Sequence, residues 1–330
     1  MPRRFVNQLG HQESVDQVFL ASQKQLRPNR NGNLYLQLEL SDRSGSLAAR
    51  MWNATEADHR GFEDGDFVRV EGTAQVYQGA LQMIATSVCR ARPEEIEMAD
   101  FMTLSPAEID QLAGRLAELL RELTDPNLRN LAECFLADED FMERFSRTPA
   151  GVKNHHAYPG GLLEHVVNLM EVSVRIADRY PKVDFELVLI GAFLHDMGKI
   201  QELNSERGFS YTDSGQMLGH VVLALGMLDE KLRQTAELSG EEFPDELALR
   251  LKHMIISHHG QYEFGSPKLP MTLEAITLHC LDNLDAKIHH FQQLIRDDTN
   301  SDSPWTQFHP NLNRKLFKGA REGATRPVSS

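Results

Sequence analysis

The residues equipped for chemistry in this chain are its histidines, and they are unevenly spread. Of 14 histidines, only His11 and His59 precede residue 150, while 12 fall in the last 180 residues. Several sit beside acidic or small residues inside apolar segments: GGLLEHVV, AFLHDMGK, MLGHVV, IISHHG and LHCLDNLDAK. In chain order these supply His165, His195-Asp196, His220, His258-His259 and Asp282, seven donors from five segments. Each histidine taken alone reads as a hydrogen-bonded core residue; the set reads as a metal centre. Imidazole with carboxylate suits Mn, Fe, Zn or Ni, and the lack of cysteine ligands argues against a structural zinc site. Seven donors exceed what one catalytic ion with an open position takes. They suffice for two ions bridged by Asp196, an arrangement that cleaves phosphate esters.

Such ligands need rigid supports. The apolar run Leu187–Leu194 leads straight into His195-Asp196, so a packed helix is expected to anchor the core and present the ligand pair at its end. After Pro93 the apolar residues recur with helical period, over roughly 106–124, 126–136, 161–180, 184–197, 215–236, 244–258 and 272–296. The first of these opens on a capping box, with Ser105 as N-cap, Pro106 at the first helical position and Glu108 reaching back. Residues 15–90 alternate apolar and polar instead, in five short stretches separated by RPNRNGN, SDRSGS and FEDGD. A small closed barrel of the OB type is expected there, a sandwich fragment being the alternative. The chain thus reads as a multidomain protein, an all-β OB-fold barrel followed by an all-α bundle. Its divisions fall at 1–92 (barrel), 93–150 (helical linker region), 151–300 (metal domain) and 301–330 (irregular tail).

Composition sets the class. A chain of 330 residues suggests two domains, and 41% hydrophobic content is ordinary for a globular protein. No apolar run approaches the roughly 18–20 residues that span a membrane, and MPRRFVNQLGHQ lacks the apolar stretch of a signal peptide. Three scattered cysteines suggest no disulfide framework, so a cytoplasmic location is expected. The net charge of −14 is asymmetric: residues 1–92 hold 11 Lys+Arg against 10 Asp+Glu, leaving −15 on the remainder. A near-neutral barrel can still bind a polyanion locally. Its candidates are Tyr35 and Tyr77 beside turns, Trp52 as a further stacking ring, and Lys24, Arg27 and Arg30 around one turn; Trp52 and Phe67 read first as core. No GxxxxGK[ST] loop is present, which argues against ATP-driven work.

The order H…HD…H…HH…D resembles the HD-domain superfamily of metal-dependent phosphohydrolases. The wider context is closer still: an OB-like domain, then NHHAYPGGLLEHV, LHDMGK, YTDSGQMLGH, ISHHGQYEFGSP and LHCLDNLDAK. Over about residues 5–318 this resembles the YhaM-type 3′→5′ exoribonucleases. The resemblance implies hydrolysis of single-stranded RNA, and often DNA, from the 3′ end by two divalent ions, typically Mn²⁺, with Fe, Co, Ni, Mg or Zn as alternatives. It implies that His165, His195, Asp196 and Asp282 hold one ion, and that Asp196 bridges to a second held by His220, His258 and His259. Asp196 is then central to catalysis, Lys199 faces the substrate phosphate, and His156, with His155, lies at the phosphate or leaving group. His279, one turn before Asp282, reads as a support for a ligand, and His253, His289, His290 and His309 as surface or packing residues. Two other functions remain open: a phosphodiesterase for cyclic dinucleotides or nucleotides, whose GYP signature HHGQYEFGSP lacks, and a non-catalytic nucleic-acid-binding regulator. Self-association is left open.

Overall fold

A computed structural model describes residues 3–29, 31–77, 80–151, 158–204, 210–296, 298 and 303–319. Contacts divide the chain into two units, Met1–Met102 with His290–Ser330, and Thr103–His289.

In the first unit, β1 (Glu13–Pro28), β2 (Leu34–Asp42), β3 (Gly45–Trp52), β4 (Phe67–Tyr77) and β5 (Ala80–Arg90) close a barrel in the order β1-β2-β3-β5-β4. All pairings are antiparallel except β3 with β5, and β1 with β4 completes the ring. This is the OB arrangement. The alternation seen in the sequence fixes the faces: Leu36, Leu38 and Leu40 of β2 are buried, and the residues between them face outward. A short helix α1 (Glu56–Arg60), not expected from the sequence, follows β3; the Thr55 hydroxyl accepts from the Asp58 amide to start it. Residues 303–319 are less irregular than expected, since bridges join Trp305 to Phe317 and His309 to Arg314.

The second unit is helical: α2 (Pro106–Arg121), α3 (Pro126–Leu136), α4 (Glu139–Arg147), α5 (Gly161–Ile176), α6 (Phe185–Leu194), α7 (Lys199–Glu202), α8 (Asp213–Ser239), α9 (Asp245–Ser257) and α10 (Leu273–Arg296), the last running on into the first unit's residues. Ser105 caps α2 as its spacing predicts, accepting from the Glu108 amide. The region expected as a helical linker is part of this core. Leu116, Leu120, Leu131, Phe135 and Phe145 of α2–α4 pack with Leu163, Ile190 and Phe193. Helix α4 was not foreseen; its Phe141 and Phe145 join Phe135 and Phe193 in an aromatic cluster with ring centroids 4.9–6.0 Å apart. Helix α6 lies at the centre, with Leu187, Val188, Ile190, Ala192, Phe193 and Leu194 all buried. A helix covered on every side needs no polar face, which is why its sequence is apolar throughout. Among the described residues no helix is long and apolar enough to cross a membrane.

Candidate metal centre

The helices of the second unit deliver seven donors to one place. His165 lies on α5, His195 is the C-cap of α6, and Asp196 occupies the turn into α7. His220 lies in α8, His258 and His259 follow α9, and Asp282 lies on α10. Two local backbone features permit this convergence. A Cβ on Gly198 would stand 2.0 Å from the His220 carbonyl oxygen and 2.8 Å from the Ala224 nitrogen, so only glycine lets the turn after Asp196 lie against α8. Helix α8 is broken at Gly219 (φ 73°, ψ 157°), and the restarted helix opens at His220.

Two triads result, His165–His195–Asp282 and His220–His258–His259, each offering ligand atoms within 4.8 Å of one another. Asp196 faces both. Its Oδ2 is 3.4 Å from His195 Nε2, while its Oδ1 is 3.4 Å from His220 Nε2 and 3.6 Å from His258 Nε2. Those separations exceed a good hydrogen bond, but donors each about 2.1 Å from a shared ion stand roughly 3.0–3.5 Å apart. Lys199 Nζ donates to Asp196 Oδ2 at 2.6 Å.

The ring nitrogens turned away from the centre are held by the protein. His165 Nδ1 pairs with Asp285 Oδ2 (2.7 Å), His195 Nδ1 with the Ala192 carbonyl (2.8 Å), and His258 Nδ1 with the Ile255 carbonyl (2.7 Å). Glu202 Oε1 holds His220 Nδ1 at 3.1 Å. The inward atoms are a different case: His195 Nε2, Asp196 Oδ1, His220 Nε2 and His259 Nδ1 are buried with no hydrogen-bond partner. Leaving one such group unsatisfied costs about 1–3 kcal/mol, so four converging on one spot fit a donor set that cations complete.

Protonation divides the two triads. Burial pushes the His258 imidazole well below its usual value, reinforced by His195; burial likewise lowers His259, with His220 adding to it. Both rings are therefore neutral and able to ligate. Burial works to raise Asp196, yet Lys199 and His195 hold it well below the usual carboxylate range. Asp282 is held down against burial chiefly by His165. His165 itself is carried up to about 9, because Asp282 and Asp285 outweigh burial, so this ring must give up a proton to ligate a cation.

All seven donors expected from the sequence are thus brought together. His155 and His156 lie outside the described residues, as does Arg30. His279 Nδ1 donates to the His258 carbonyl oxygen (2.7 Å), a prop for a ligand. Sequence reasoning missed Asp285 and Glu202, the two carboxylates behind His165 and His220. The signal was there in part: Asp285 follows Asp282 by three residues, on the same helix face.

The barrel candidates separate. Arg27, Tyr35 and Trp52 form a cross-strand row, Arg27 opposite Tyr35 and Tyr35 opposite Trp52, with the two rings 5.1 Å apart. Trp52 is 48% exposed, which corrects its reading as core. Phe67 is half-buried, 4.7 Å from Phe101. Tyr77 is exposed at the end of β4, outside that row. Lys24 is not available to a nucleic acid. Its ammonium donates to the carbonyls of His59 and Phe62 and pairs with Glu63, and its side chain is 5% exposed. It fastens β1 to the segment after α1.

Comparison with known proteins matches this geometry. Residues 162–287 match the HD domain family, and residues 20–88 match an OB-fold nucleic acid binding domain. The 3′-5′ exoribonuclease YhaM of Bacillus subtilis (strain 168) is 35% identical over 284 residues, spanning 86% of this chain and 88% of that protein. This chain belongs to the YhaM family. The YhaM proteins of Oceanobacillus iheyensis (33% over 281 residues, 84% of this chain and 85% of that one) and Listeria innocua (30% over 285, 86% and 88%) extend the match. The YhaM similarity therefore spans more of the chain than either domain match alone.

Proposed function

We propose that this chain is a metal-dependent 3′→5′ exoribonuclease that hydrolyses single-stranded RNA to nucleoside 5′-monophosphates, and accepts single-stranded DNA. The observation that carries the reading is the Asp196 carboxylate, one oxygen facing each histidine triad, among buried donor atoms without protein partners. Its names come from the relatives, each called a 3′-5′ exoribonuclease.

His165, His195 and Asp282 would hold one divalent cation and His220, His258 and His259 another, with Asp196 placed to serve both; Mn²⁺ is the expected metal. Such a pair of cations supplies an activated water and neutralises charge growing on the phosphate. The chain's residues do the rest. Asp285, Glu202 and the carbonyls of Ala192 and Ile255 fix the ring orientations and tautomers. Lys199, beside Asp196, is the cation placed to meet a non-bridging phosphate oxygen. On the barrel, the row Arg27–Tyr35–Trp52 combines stacking rings with a cation and serves to retain the strand, so that this unit sets affinity and processivity. The protein acts in the cytoplasm.

The test is incubation of purified protein with 5′-labelled single-stranded RNA, double-stranded RNA, single-stranded DNA and a cyclic dinucleotide, with and without Mn²⁺. Metal-dependent shortening of single strands with release of 5′-monophosphates is expected. A ladder of internal cuts, or activity on the cyclic dinucleotide alone, overturns the proposal.

A further inference from the structure

Directly after His258-His259 the chain makes a short turn whose two aromatic residues are left in water. Tyr262 is 61% exposed and Phe264 62%. The turn itself is well tied. The Phe264 amide donates to the Gln261 carbonyl (3.2 Å), the Gly265 amide to that of Tyr262 (3.0 Å), and the Ser266 amide to that of Gln261 (3.2 Å). The buried Ser266 hydroxyl lies 3.1 Å from the Ile256 carbonyl and 2.7 Å from that of Lys268. A Cβ at Gly265 would stand 4.0 Å from His259 Nδ1, the ring nitrogen that lacks a protein partner. The turn therefore abuts the His220–His258–His259 triad, and Phe264 is the immediate neighbour of the glycine at that contact. Lys268 follows, exposed and without an ion pair to the described residues.

Two open rings and a cation along a rigid turn are the parts with which proteins hold single-stranded nucleic acid. Charge alone does not hold a polyanion here, since residues 93–330 carry −15. Stacking on an aromatic face does not depend on that balance, and every base has a face to offer. We infer that Tyr262 and Phe264 form the stacking platform for the 3′-terminal nucleobases of the strand, with Lys268 on its backbone. This rests on the exoribonuclease reading and adds where the strand end is gripped.

The test uses the full chain, stripped of metal and kept in EDTA, with a single-stranded RNA of about 12 nucleotides carrying 2-aminopurine as its 3′-terminal base. Binding to the wild type quenches the probe. Tyr262→Ala and Phe264→Ala each weaken binding roughly 5- to 150-fold and reduce the quench. Phe264→Trp keeps both, and Phe264→Leu, apolar but without a ring, behaves as the alanine variant. Because both side chains are exposed, these variants keep the wild-type circular dichroism. No quench with the wild type, unchanged affinity in Tyr262→Ala/Phe264→Ala, or wild-type binding by Phe264→Leu each overturns the inference. Degradation of the same RNA with Mn²⁺ is scored separately. A failed platform beside intact hydrolysis overturns this inference alone, whereas absent hydrolysis overturns the exoribonuclease reading and this inference with it.

Discussion

Glu202 holds His220 from two directions at once: one oxygen, Oε1, accepts from the His220 backbone amide at 2.9 Å and lies 3.1 Å from its Nδ1. The first contact caps the helix that restarts after Gly219; the second sets the ring so that Nε2 faces Asp196. Backbone and side chain of one ligand thus depend on a single buried carboxylate.

Glu202→Ala is expected to weaken cation binding at the His220–His258–His259 triad by about 10- to 100-fold, with binding at the His165–His195–Asp282 triad far less affected. Glu202→Gln, which keeps an accepting oxygen, falls between. Calorimetric titration of the stripped protein with Mn²⁺ resolves the two sites; equal loss at both would refute the assignment.

Asp196→Asn keeps the shape of the side chain and removes its charge. Hydrolysis should fall at least about 100-fold, and elemental analysis should show less than the wild-type metal content. Circular dichroism is expected to be unchanged, which separates loss of chemistry from loss of fold.

On the barrel, Trp52→Ala and Tyr35→Ala should each weaken binding of a long RNA by about 1–3 kcal/mol, measured by fluorescence anisotropy. Arg27→Ala should lower the slope of log affinity against log salt by about 0.7 if it meets one phosphate. Lys24→Ala is expected to behave differently. Its ammonium is committed to His59, Phe62 and Glu63, so the loss appears as a lower melting temperature.

Acid should loosen the helical unit through Glu186. Burial raises this carboxyl, but the Thr124 hydroxyl and the amides of Asp125 and Thr124 outweigh it and hold it below 4.5. The folded chain therefore releases this proton more readily than the unfolded chain. Its stabilisation is complete above about pH 4.5 and lost as pH falls through the lowered value. Urea midpoints measured from pH 7 to pH 3 should fall less steeply for Glu186→Gln than for the wild type.

The ligands were readable because their types are rare and their order is distinctive; the supports were not. Asp285 and Glu202 are ordinary acidic residues until a fold places them behind His165 and His220. Alternation gave the barrel strands, since a half-buried strand repeats every two residues. It could not reveal that Trp52 faces outward, because aromatic rings occur on both faces. Helix α4 has little signature in the sequence, since EDFMERFSR carries its apolar face on few residues, chiefly Phe141 and Phe145. The grouping of residues 290–330 with the barrel rests on tertiary contacts between distant parts of the chain, which no local pattern records.

Of the His165–His195–Asp282 triad, the first and last donors, His165 on α5 and Asp282 on α10, lie more than a hundred residues apart in sequence. A cation seated among them would act as a clasp on a long loop, and its binding free energy would become folding free energy for everything between α5 and α10. A chain starved of metal would then differ from the loaded one in lifetime as well as in activity, because openings that expose the apolar α6 become more frequent and offer themselves to proteases.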